Sequence, residues 1–368
     1  MRLFLMFKSL VVFGGAFVLA AVTAAAGDIS FRVSPQPEWN RMFQKTNGWL
    51  GADGDYSVPL GPDKTLWLFG DTFIGQVRGN QRTRAVMIHS SIAIQPFGKP
   101  PEFYYRMDKN HRPRSFIKSP GQRTYFWLSD GVRAKPGLYF FMQQIKWLND
   151  STWGFQCIGT WLAFVRNPDA APGLWKITTR KLPFTRLPGG QDVVLGCETL
   201  VTPHYLYIYG YSNRTNSTAE KNLILARAPK NDPDDLNSWR FYSNGSWTPN
   251  FDKATAIFSG AGAEGSVSWQ PFLKKFVFVY SDGIWGTIVM RTAGAPEGPW
   301  SAPIKLYQCP DMKISTHVFC YAAKGHPELS ADDELLISYA ANSDDLSEVM
   351  NDARLYWPRF IRVTFQKP

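Results

Sequence analysis

Short runs of apolar and aromatic residues recur along the whole chain and are separated by Gly, Pro, Asp and Asn. Two examples are KTLWLFGDTF at residues 64–73 and KFVFVYSDG at residues 275–283. Such runs, rich in aromatic and β-branched residues and bounded by turn formers, are typical of β-strands. Segments rich in the helix formers Ala, Glu, Leu and Lys are scarce, so the sequence predicts an all-β protein.

The strands group into an internal repeat with a loose period of roughly 50 to 70 residues. Each unit opens with a strand that carries an acidic or polar residue, continues with a strongly aromatic strand and adds a third. The units begin at Gly51, Arg123, Val193, Glu264 and Tyr321. Repeated four-stranded units are typical of propeller blades, so the sequence predicts a five-bladed β-propeller.

Two features indicate how the blades pack and how the ring closes. In the third and fourth units, a loop after the third strand ends in Trp239 or Trp300, which we expect to pack the outer strand against the neighbouring sheet. The fifth unit lacks a fourth strand, and the alternating segment Ile29–Val33 is expected to supply it, which leaves no open sheet edge. Six blades would require a further unit hidden in Glu102–Lys118, and the count favours five.

The N-terminus has the layout of a secretory signal peptide. Arg2 and Lys8 give a positive start, an apolar core follows, and Ala24–Ala26 form a small-residue cleavage site. We expect a signal peptide at residues 1–26 and one propeller domain at residues 27–368, secreted to the extracellular space or the periplasm. The alternative is an uncleaved membrane anchor, but the apolar run is borderline in length and ends without a charged stop. After cleavage no membrane association is expected.

Four cysteines follow the signal peptide, and an even number in an exported chain predicts two disulfides. The sequence allows three pairings. Cys309 with Cys320 closes the shortest loop and leaves Cys157 with Cys197. None of the spacings resembles a zinc site, so we expect neither a metal nor another cofactor.

The net charge is +10 and falls to +8 when the two basic residues of the signal peptide, Arg2 and Lys8, are removed. The basic residues are scattered, and the densest stretch, Lys109–Lys118, is interpreted as a solvated surface loop. A nucleic-acid-binding protein would need a concentrated basic stripe, so that class is disfavoured. We expect a monomer.

Polar residues recur at the starts of first strands and the ends of second strands, which lie at one end of an antiparallel pair. Several carboxylates should therefore meet at one mouth, an arrangement that glycoside hydrolysis needs. There, like charges raise the pKa of one member of a pair. The residues at these positions are Asp53, Asp55, Asp71, Glu198, Glu264, Asp282, His326 and Asn342.

Structural interpretations of the same residues remain open. Asp53 and Asp55 suit a turn and Asp71 a bend. His326 either holds a cation or a substrate hydroxyl or is a hydrogen-bonded structural residue. The chain has only five histidines and no paired ligand spacing, which favours the structural interpretation. Trp49, Trp269 and Trp285 could stack on sugar faces, but any single one of them is better explained as core between blades.

The segment Gly48–Gly75 also resembles a known family. Its sequences GADGD and LWLFGDTF are similar to those of secreted five-bladed propellers long described as domains of unknown function, some of whose relatives are endo-D-arabinanases. The segments EGSVSW at 264–269, HPEL at 326–329 and SYAANS at 338–343 resemble later blades of that group. The resemblance implies that Asp53 and Asp71 are an acidic catalytic pair. Ala52 departs from it, since a hydroxyl residue would be expected there.

Together these patterns predict a secreted glycoside hydrolase acting on a polysaccharide or oligosaccharide, with an arabinan-like or other cell-wall glycan as substrate. Asp53 and Asp71 are the predicted acid and base, and inversion is expected because carboxyls on separate strands leave room for water. The alternative is a lectin-like propeller that binds glycans without cleavage. Serine-hydrolase, zincin and nucleotide-loop motifs are missing from the sequence. The predicted substrate-binding residues are Asp55, Glu198, Glu264, Trp269, Asp282, His326 and Asn342.

Overall fold

The computed structural model describes residues 29–151, 153–214 and 221–367, so the predicted signal peptide lies outside the described residues. Antiparallel strands dominate these ranges, and the prediction of an all-β protein is confirmed. No helix in the described part of the chain is long and apolar enough to cross a membrane.

The first part of the chain builds one sheet and an insertion into it. Strands β3, β4, β7 and β8 form sheet I, while β2, β5 and β6 form a separate insert sheet, and β9 pairs with β10 in a short ribbon. The elements are β1 (Ser30–Pro35), α1 (Pro37–Phe43), β2 (Asn47–Ala52), β3 (Tyr56–Gly61), β4 (Lys64–Phe69), β5 (Thr72–Arg78), β6 (Gln81–Ile88), β7 (Ser91–Pro96), β8 (Glu102–Tyr104), β9 (Arg106–Met107) and β10 (Pro113–Arg114).

The middle of the chain builds two further sheets. Sheet II runs in the order β11-β12-β13-β14, and sheet III runs from β15 to β20 with β21 added beside β18. The strands are β11 (Thr124–Ala134), β12 (Gly137–Trp147), β13 (Phe155–Val165), β14 (Ile177–Lys181), β15 (Arg186–Leu187), β16 (Gln191–Val201), β17 (Tyr205–Arg214), β18 (Lys221–Pro229), β19 (Arg240–Ser243), β20 (Ser246–Thr248) and β21 (Phe258–Ala261). Three-residue 3-10 helices span Pro172–Leu174, Leu236–Ser238 and Phe251–Lys253.

The last part builds sheets IV and V. Sheet IV runs β22-β23-β24-β25, and sheet V runs β26-β27-β28-β1. The elements are β22 (Gly265–Gln270), β23 (Lys275–Asp282), β24 (Thr287–Ala293), β25 (Ile304–Gln308), a 3-10 helix (Pro310–Lys313), β26 (Val318–His326), a 3-10 helix (Pro327–Leu329), β27 (Glu334–Ser343), α2 (Leu346–Asn351) and β28 (Pro358–Gln366).

The N-terminal strand completes the last sheet, as predicted. Strand β1 pairs antiparallel with β28 from Ser30 opposite Gln366 to Pro35 opposite Ile361. This pairing covers an edge of sheet V that would otherwise offer free backbone groups to another chain. It also joins the two ends of the described chain in one sheet.

Each sheet lies beside the next through its first strand. Strand β3 contacts β11, β11 contacts β16, β16 contacts β22, and β22 contacts β26. Sheet V in turn contacts sheet I, because Lys324 donates to the carbonyl of Gly54 and Ser57 Oγ lies 2.6 Å from His326 Nδ1. The starts of these first strands define one end of the molecule, here called the mouth.

Apolar side chains fill the spaces between neighbouring sheets. Val58 and Phe126 pack in one cluster between sheets I and II, and Tyr209 and Phe278 pack in another between sheets III and IV. Trp239, in the loop after the third strand of sheet III, is buried against Phe141 of sheet II with ring centroids 6.5 Å apart. The prediction that this tryptophan packs against the neighbouring sheet is confirmed.

Residues Glu102–Lys118 do not form a further blade in the described structure. Strand β8 is the outer strand of sheet I, and the rest of the segment is the β9–β10 ribbon. Asp108 organises the basic loop: its Oδ1 accepts the backbone N–H groups of Asn110 and Arg112 at 2.8 and 3.0 Å, and its Oδ2 accepts Arg114. The basic stretch is thus a surface loop with its own acidic anchor.

All four cysteines are thiols in the structure, and two of them are neighbours. A hydrogen bond to Cys320, followed by burial, raises the pKa of Cys309. Cys157 packs against the small cluster that contains Cys197. The predicted pairing of Cys309 with Cys320 and of Cys157 with Cys197 is compatible with this placement and stays a prediction.

We expect the exported protein to contain the Cys309–Cys320 disulfide. Peptide mapping without reductant should recover these two cysteines in one cross-linked peptide. Urea unfolding should show a loss of about 2–4 kcal/mol on reduction, because a cross-link restricts the unfolded chain. The Cys320→Ala variant cannot form this disulfide, so reduction should lower its free energy of unfolding by correspondingly less than that of the wild type. Free, alkylatable Cys309 in the exported protein would contradict the prediction.

Candidate active site

Asp53 and Asp71 lie at one corner of the mouth, where the insert sheet meets sheet I. Asp53 follows β2, and Asp71 lies between β4 and β5. Their backbones are linked, since Asp53 N–H donates to the carbonyl of Asp71 at 3.4 Å and Gly70 N–H donates to the carbonyl of Asp53 at 3.0 Å. A Cβ on Gly70 would lie 2.7 Å from Asp53 Oδ1, so glycine makes room for this carboxyl group. The two predicted catalytic residues are brought together.

The Asp53 carboxyl group is half-buried and held by two tyrosines. Its Oδ2 accepts the hydroxyl of Tyr321 at 2.5 Å and that of Tyr356 at 3.1 Å. Burial, followed by the nearby charges of Asp71 and Glu264, raises the pKa of Asp53 well above its ordinary value, although the Tyr321 hydrogen bond opposes the shift. Asp53 is therefore the member of the pair that retains a proton.

Asp71 has different surroundings. Its Oδ1 lies 2.7 Å from His89 Nδ1 and accepts the Nε1–H of Trp127 at 2.8 Å. A carboxylate only accepts hydrogen bonds, so His89 carries its proton on Nδ1 in this contact. The His89 ring is itself fixed by stacking on Tyr125, with centroids 3.8 Å apart. Asp71 Oδ1 is thus the point on which the His89 and Trp127 side chains converge.

Two of the predicted binding residues border this pair. Glu264 precedes β22, and its charge is one of those that raise the pKa of Asp53. Asn342 donates its amide N–H to the Tyr321 hydroxyl at 3.4 Å and so lies one contact away from Asp53. Asp282, the last residue of β23, is exposed at the mouth end of sheet IV.

Three predicted binding residues lie too deep to touch a polysaccharide. Asp55, Glu198 and His326 are at most 1 % exposed. Their sequence-based assignment as residues that contact the substrate directly is therefore corrected. They sit at the inner strands below the mouth, where polar side chains of different sheets meet.

His326 is a structural residue in this arrangement. Its Nδ1 contacts Ser57 Oγ at 2.6 Å and its Nε2 contacts Ser338 Oγ at 2.9 Å. Burial lowers the pKa of His326 to about 3, so the ring is neutral at physiological pH. Of the two interpretations of this histidine, the hydrogen-bonded structural one fits these contacts.

Asp55 and Glu198 belong to a buried acidic cluster. All four of their carboxyl oxygens are buried without a hydrogen-bond partner among the described residues. Burial raises the pKa of Asp55 to about 7 and that of Glu198 well above its ordinary value, while Lys324 opposes both shifts. Lys324 Nζ also lies 4.0 Å from Glu264 Oε1. The buried ammonium group therefore interacts with Glu264 as well as with Asp55 and Glu198.

The tryptophans proposed to stack on sugars are placed differently from one another. Trp269 is exposed and packs on Phe276, but it lies four residues beyond Gly265 along β22, or about 13 Å from the mouth end. Its assignment as a binding residue of the mouth is therefore corrected. Trp49 is buried and stacks on Phe103 at 4.1 Å, as a core residue does.

Sequence reasoning missed the groups that hold the acid pair. Tyr321 opens the fifth sequence unit as Glu264 opens the fourth, so counting hydroxyls along with carboxylates would have found it. Trp127 lies on the first strand of sheet II, among aromatics that resemble ordinary core. His89 and Tyr356 lie outside the repeated strands, at the end of the insert and in the loop before β28, and carry no periodic signal.

No three His, Cys, Asp or Glu side chains in the described ranges are grouped in a way that could hold a metal ion. The corner offers a carboxyl group with a raised pKa, Asp53, beside a second carboxyl group, Asp71. Such a pair can protonate a leaving oxygen and activate a water molecule.

The structure of this chain is similar to several solved structures of other proteins. A candidate hydrolase from Bacteroides ovatus shares the fold with a TM-score of 0.74 and 20% identity over 90% of each chain. Weaker likenesses include a GH43_1 enzyme from Xanthomonas citri complexed with xylose, with a TM-score of 0.48 and 13% identity over 90% of this chain and 89% of that one. An exo-β-1,3-galactanase from Phanerochaete chrysosporium with galactose has a TM-score of 0.45 and 12% identity over 85% of this chain and 60% of that one.

Among curated proteins, none matches the chain. A family description does, and it spans nearly the whole of the described structure, including the corner that holds Asp53 and Asp71. Over residues 36–365 the chain matches, and therefore belongs to, the family described as Domain of unknown function (DUF5005).

Proposed function

We propose that this protein is a secreted glycoside hydrolase that cleaves a polysaccharide or oligosaccharide, with an arabinan-like or other cell-wall glycan as substrate. The observation that carries the proposal is the contrast within the acid pair. Asp53 has a raised pKa and two hydroxyl partners, while Asp71, next to it, accepts from His89 and Trp127. Acid and base are thus distinguished by their surroundings.

The proposal includes a closed five-bladed propeller as the scaffold. The sequence of first-strand contacts from sheet I to sheet V, and the return contacts from Lys324 to Gly54 and from His326 to Ser57, support a ring. The shared fold with the Bacteroides ovatus hydrolase candidate supports a hydrolytic role for such a scaffold. In a ring the inner strands bring carboxyl groups of different sheets to one mouth.

In the proposed reaction Asp53 gives its proton to the glycosidic oxygen as the bond from that oxygen to the anomeric carbon breaks. Asp71 takes a proton from a water molecule, whose oxygen forms the new bond to the anomeric carbon. The Tyr321 and Tyr356 hydroxyls, both on Oδ2, stabilise the carboxylate that Asp53 becomes. Attack by water in a single displacement inverts the anomeric configuration.

The proposal is tested with the mature protein on linear arabinan, arabinogalactan, xylan and galactan. We expect new reducing ends with at least one polymer, and proton NMR of the first product should show the inverted anomer. Binding without new reducing ends would support the lectin-like alternative and contradict the hydrolase. N-terminal sequencing of the exported protein should give a start near Gly27, and retention in a membrane would contradict secretion.

A further inference from the structure

An unbroken series of aromatic rings crosses the mouth beside the acid pair. Trp127, which donates to Asp71, contacts Phe155 edge to face with centroids 4.9 Å apart. The ring centroids of Phe155 and Trp153 are 6.3 Å apart, and those of Trp153 and Phe319 are 5.8 Å apart. Phe319 lies 5.2 Å from Tyr321, which donates to Asp53. The series therefore begins at one carboxyl group and ends at the other.

The contact between Trp153 and Phe319 joins two sheets that are not consecutive. Trp153 lies in the turn between β12 and β13 of sheet II, and Phe319 lies at the start of β26 in sheet V. Sheets II and V are the two neighbours of sheet I, which carries the acid pair. The rings thus connect these two neighbours of sheet I directly, across the mouth.

A substrate that passes through an open groove needs a path on both sides of the scissile bond. A continuous series of rings from sheet II to sheet V would form a wall across this path on the side of sheets III and IV. Trp153 forms the middle of this wall and is 57% exposed, so one of its faces is available to a ligand. The C–H face of a terminal sugar ring is the chemical complement of such a face, since both are apolar and flat.

Resting on the hydrolase proposed above, we infer that Trp153 closes the site on the side of sheets III and IV, so that the protein binds and cleaves glycans at a chain end. The occupant of the walled corner is the terminal sugar. The wall thereby determines the mode of action: an internal segment of a polymer would have to pass through the Trp153–Phe319 contact. Trp153 is a specificity-determining residue, and Asp53 and Asp71 remain the reacting groups.

Binding stoichiometry tests this inference independently of catalysis. The inactive Asp71→Asn variant is titrated with linear arabinan, xylan and galactan, each as a short and a long fraction. An end-binding protein saturates at one molecule per chain end whatever the length, and this is the expected result. Saturation that increases with chain length would overturn the inference even if the protein is a hydrolase. Binding to none of the fractions would overturn it together with the proposed substrate class.

Trp153→Ala gives the second test, on whichever of these polymers the wild type cleaves. The wild type should release short products with little loss of viscosity, whereas the variant should cleave internally and lower viscosity faster for each reducing end formed. Binding of the chain end should weaken roughly 2- to 10-fold with the loss of the ring. Trp153→Phe keeps a ring and should keep the wild-type products.

Phe97→Ala is the matched control, because Phe97 is also an exposed aromatic residue but follows β7 at the end opposite the mouth. Its products should equal those of the wild type. Circular dichroism should show that all three variants are folded. Rapid loss of viscosity with the wild type, or unchanged products with Trp153→Ala, would overturn the inference while leaving hydrolysis itself established.

Discussion

Replacing Asp53 or Asp71 by Asn should reduce hydrolysis by about 10²- to 10⁴-fold, the range that a positioned acid or base contributes. Asn cannot give up a proton as Asp53 would, and it cannot take one from water as Asp71 would. The initial rate of reducing-end formation is the measurement. Because both side chains act in one displacement, the double variant should be little slower than the slower single variant.

The fold should survive these changes, and one of them should stabilise it. The pKa of Asp53 is raised in the folded protein, so ionising this group costs stability as the pH rises above its unfolded value of about 4. Asp53→Asn removes that cost. The free energy of unfolding of the Asp53→Asn variant should therefore equal or exceed that of the wild type. The difference between the two should increase from pH 4 towards neutrality.

The matched control is Asp332→Asn. Asp332 is exposed in the turn between β26 and β27, away from the mouth, and the substitution is chemically the same. Its rate should be unchanged. Full activity in both Asp53→Asn and Asp71→Asn would exclude this pair as the acid and base. Loss of structure in either variant would show that the carboxyl group is structural.

The sequence was sufficient to bring Asp53 and Asp71 together because both flank strands of one unit. Strand alternation and turn residues are local signals, and antiparallel pairing converts them into a shared end without any long-range information. The same reasoning placed β1 beside the last sheet. Both predictions depend on the direction of a strand and not on the depth of a side chain.

Depth was the information that the sequence lacked. Asp55 lies only two residues from Asp53, yet Asp55 is fully buried while the Asp53 carboxyl is half-buried. The assignment of Trp269 as a binding residue was wrong for a related reason, since its strand continues away from the mouth. The partners of the acid pair come from elements outside the repeat, and only the folded chain brings His89 and Tyr356 to it.

The same buried region leads to the largest expected effect on stability, that of Lys324→Met. The Lys324 side chain is buried, its Nζ donates to the carbonyls of Gly54 and Ala322, and it lies 4.3 Å from the ring centre of Tyr56. Removing the ammonium group leaves these carbonyls without their donor and the acidic cluster without its cation. Breaking a buried charge pair in this way costs about 3–5 kcal/mol, which urea unfolding would measure.

The dependence of this loss on pH distinguishes charge from packing. Lys324 lowers the pKa values of Asp55 and Glu198, which burial raises, so without it both carboxyl groups ionise less readily in the folded state. A group with a raised folded pKa destabilises the fold as the pH rises above its unfolded value of about 4. The loss caused by Lys324→Met should therefore be larger at pH 7.5 than at pH 4.5, and adding Glu198→Gln should recover part of it.

Lys275→Met, at an exposed position at the start of β23, should change stability little at either pH. An equal loss at both pH values would mean that Lys324 contributes through packing alone.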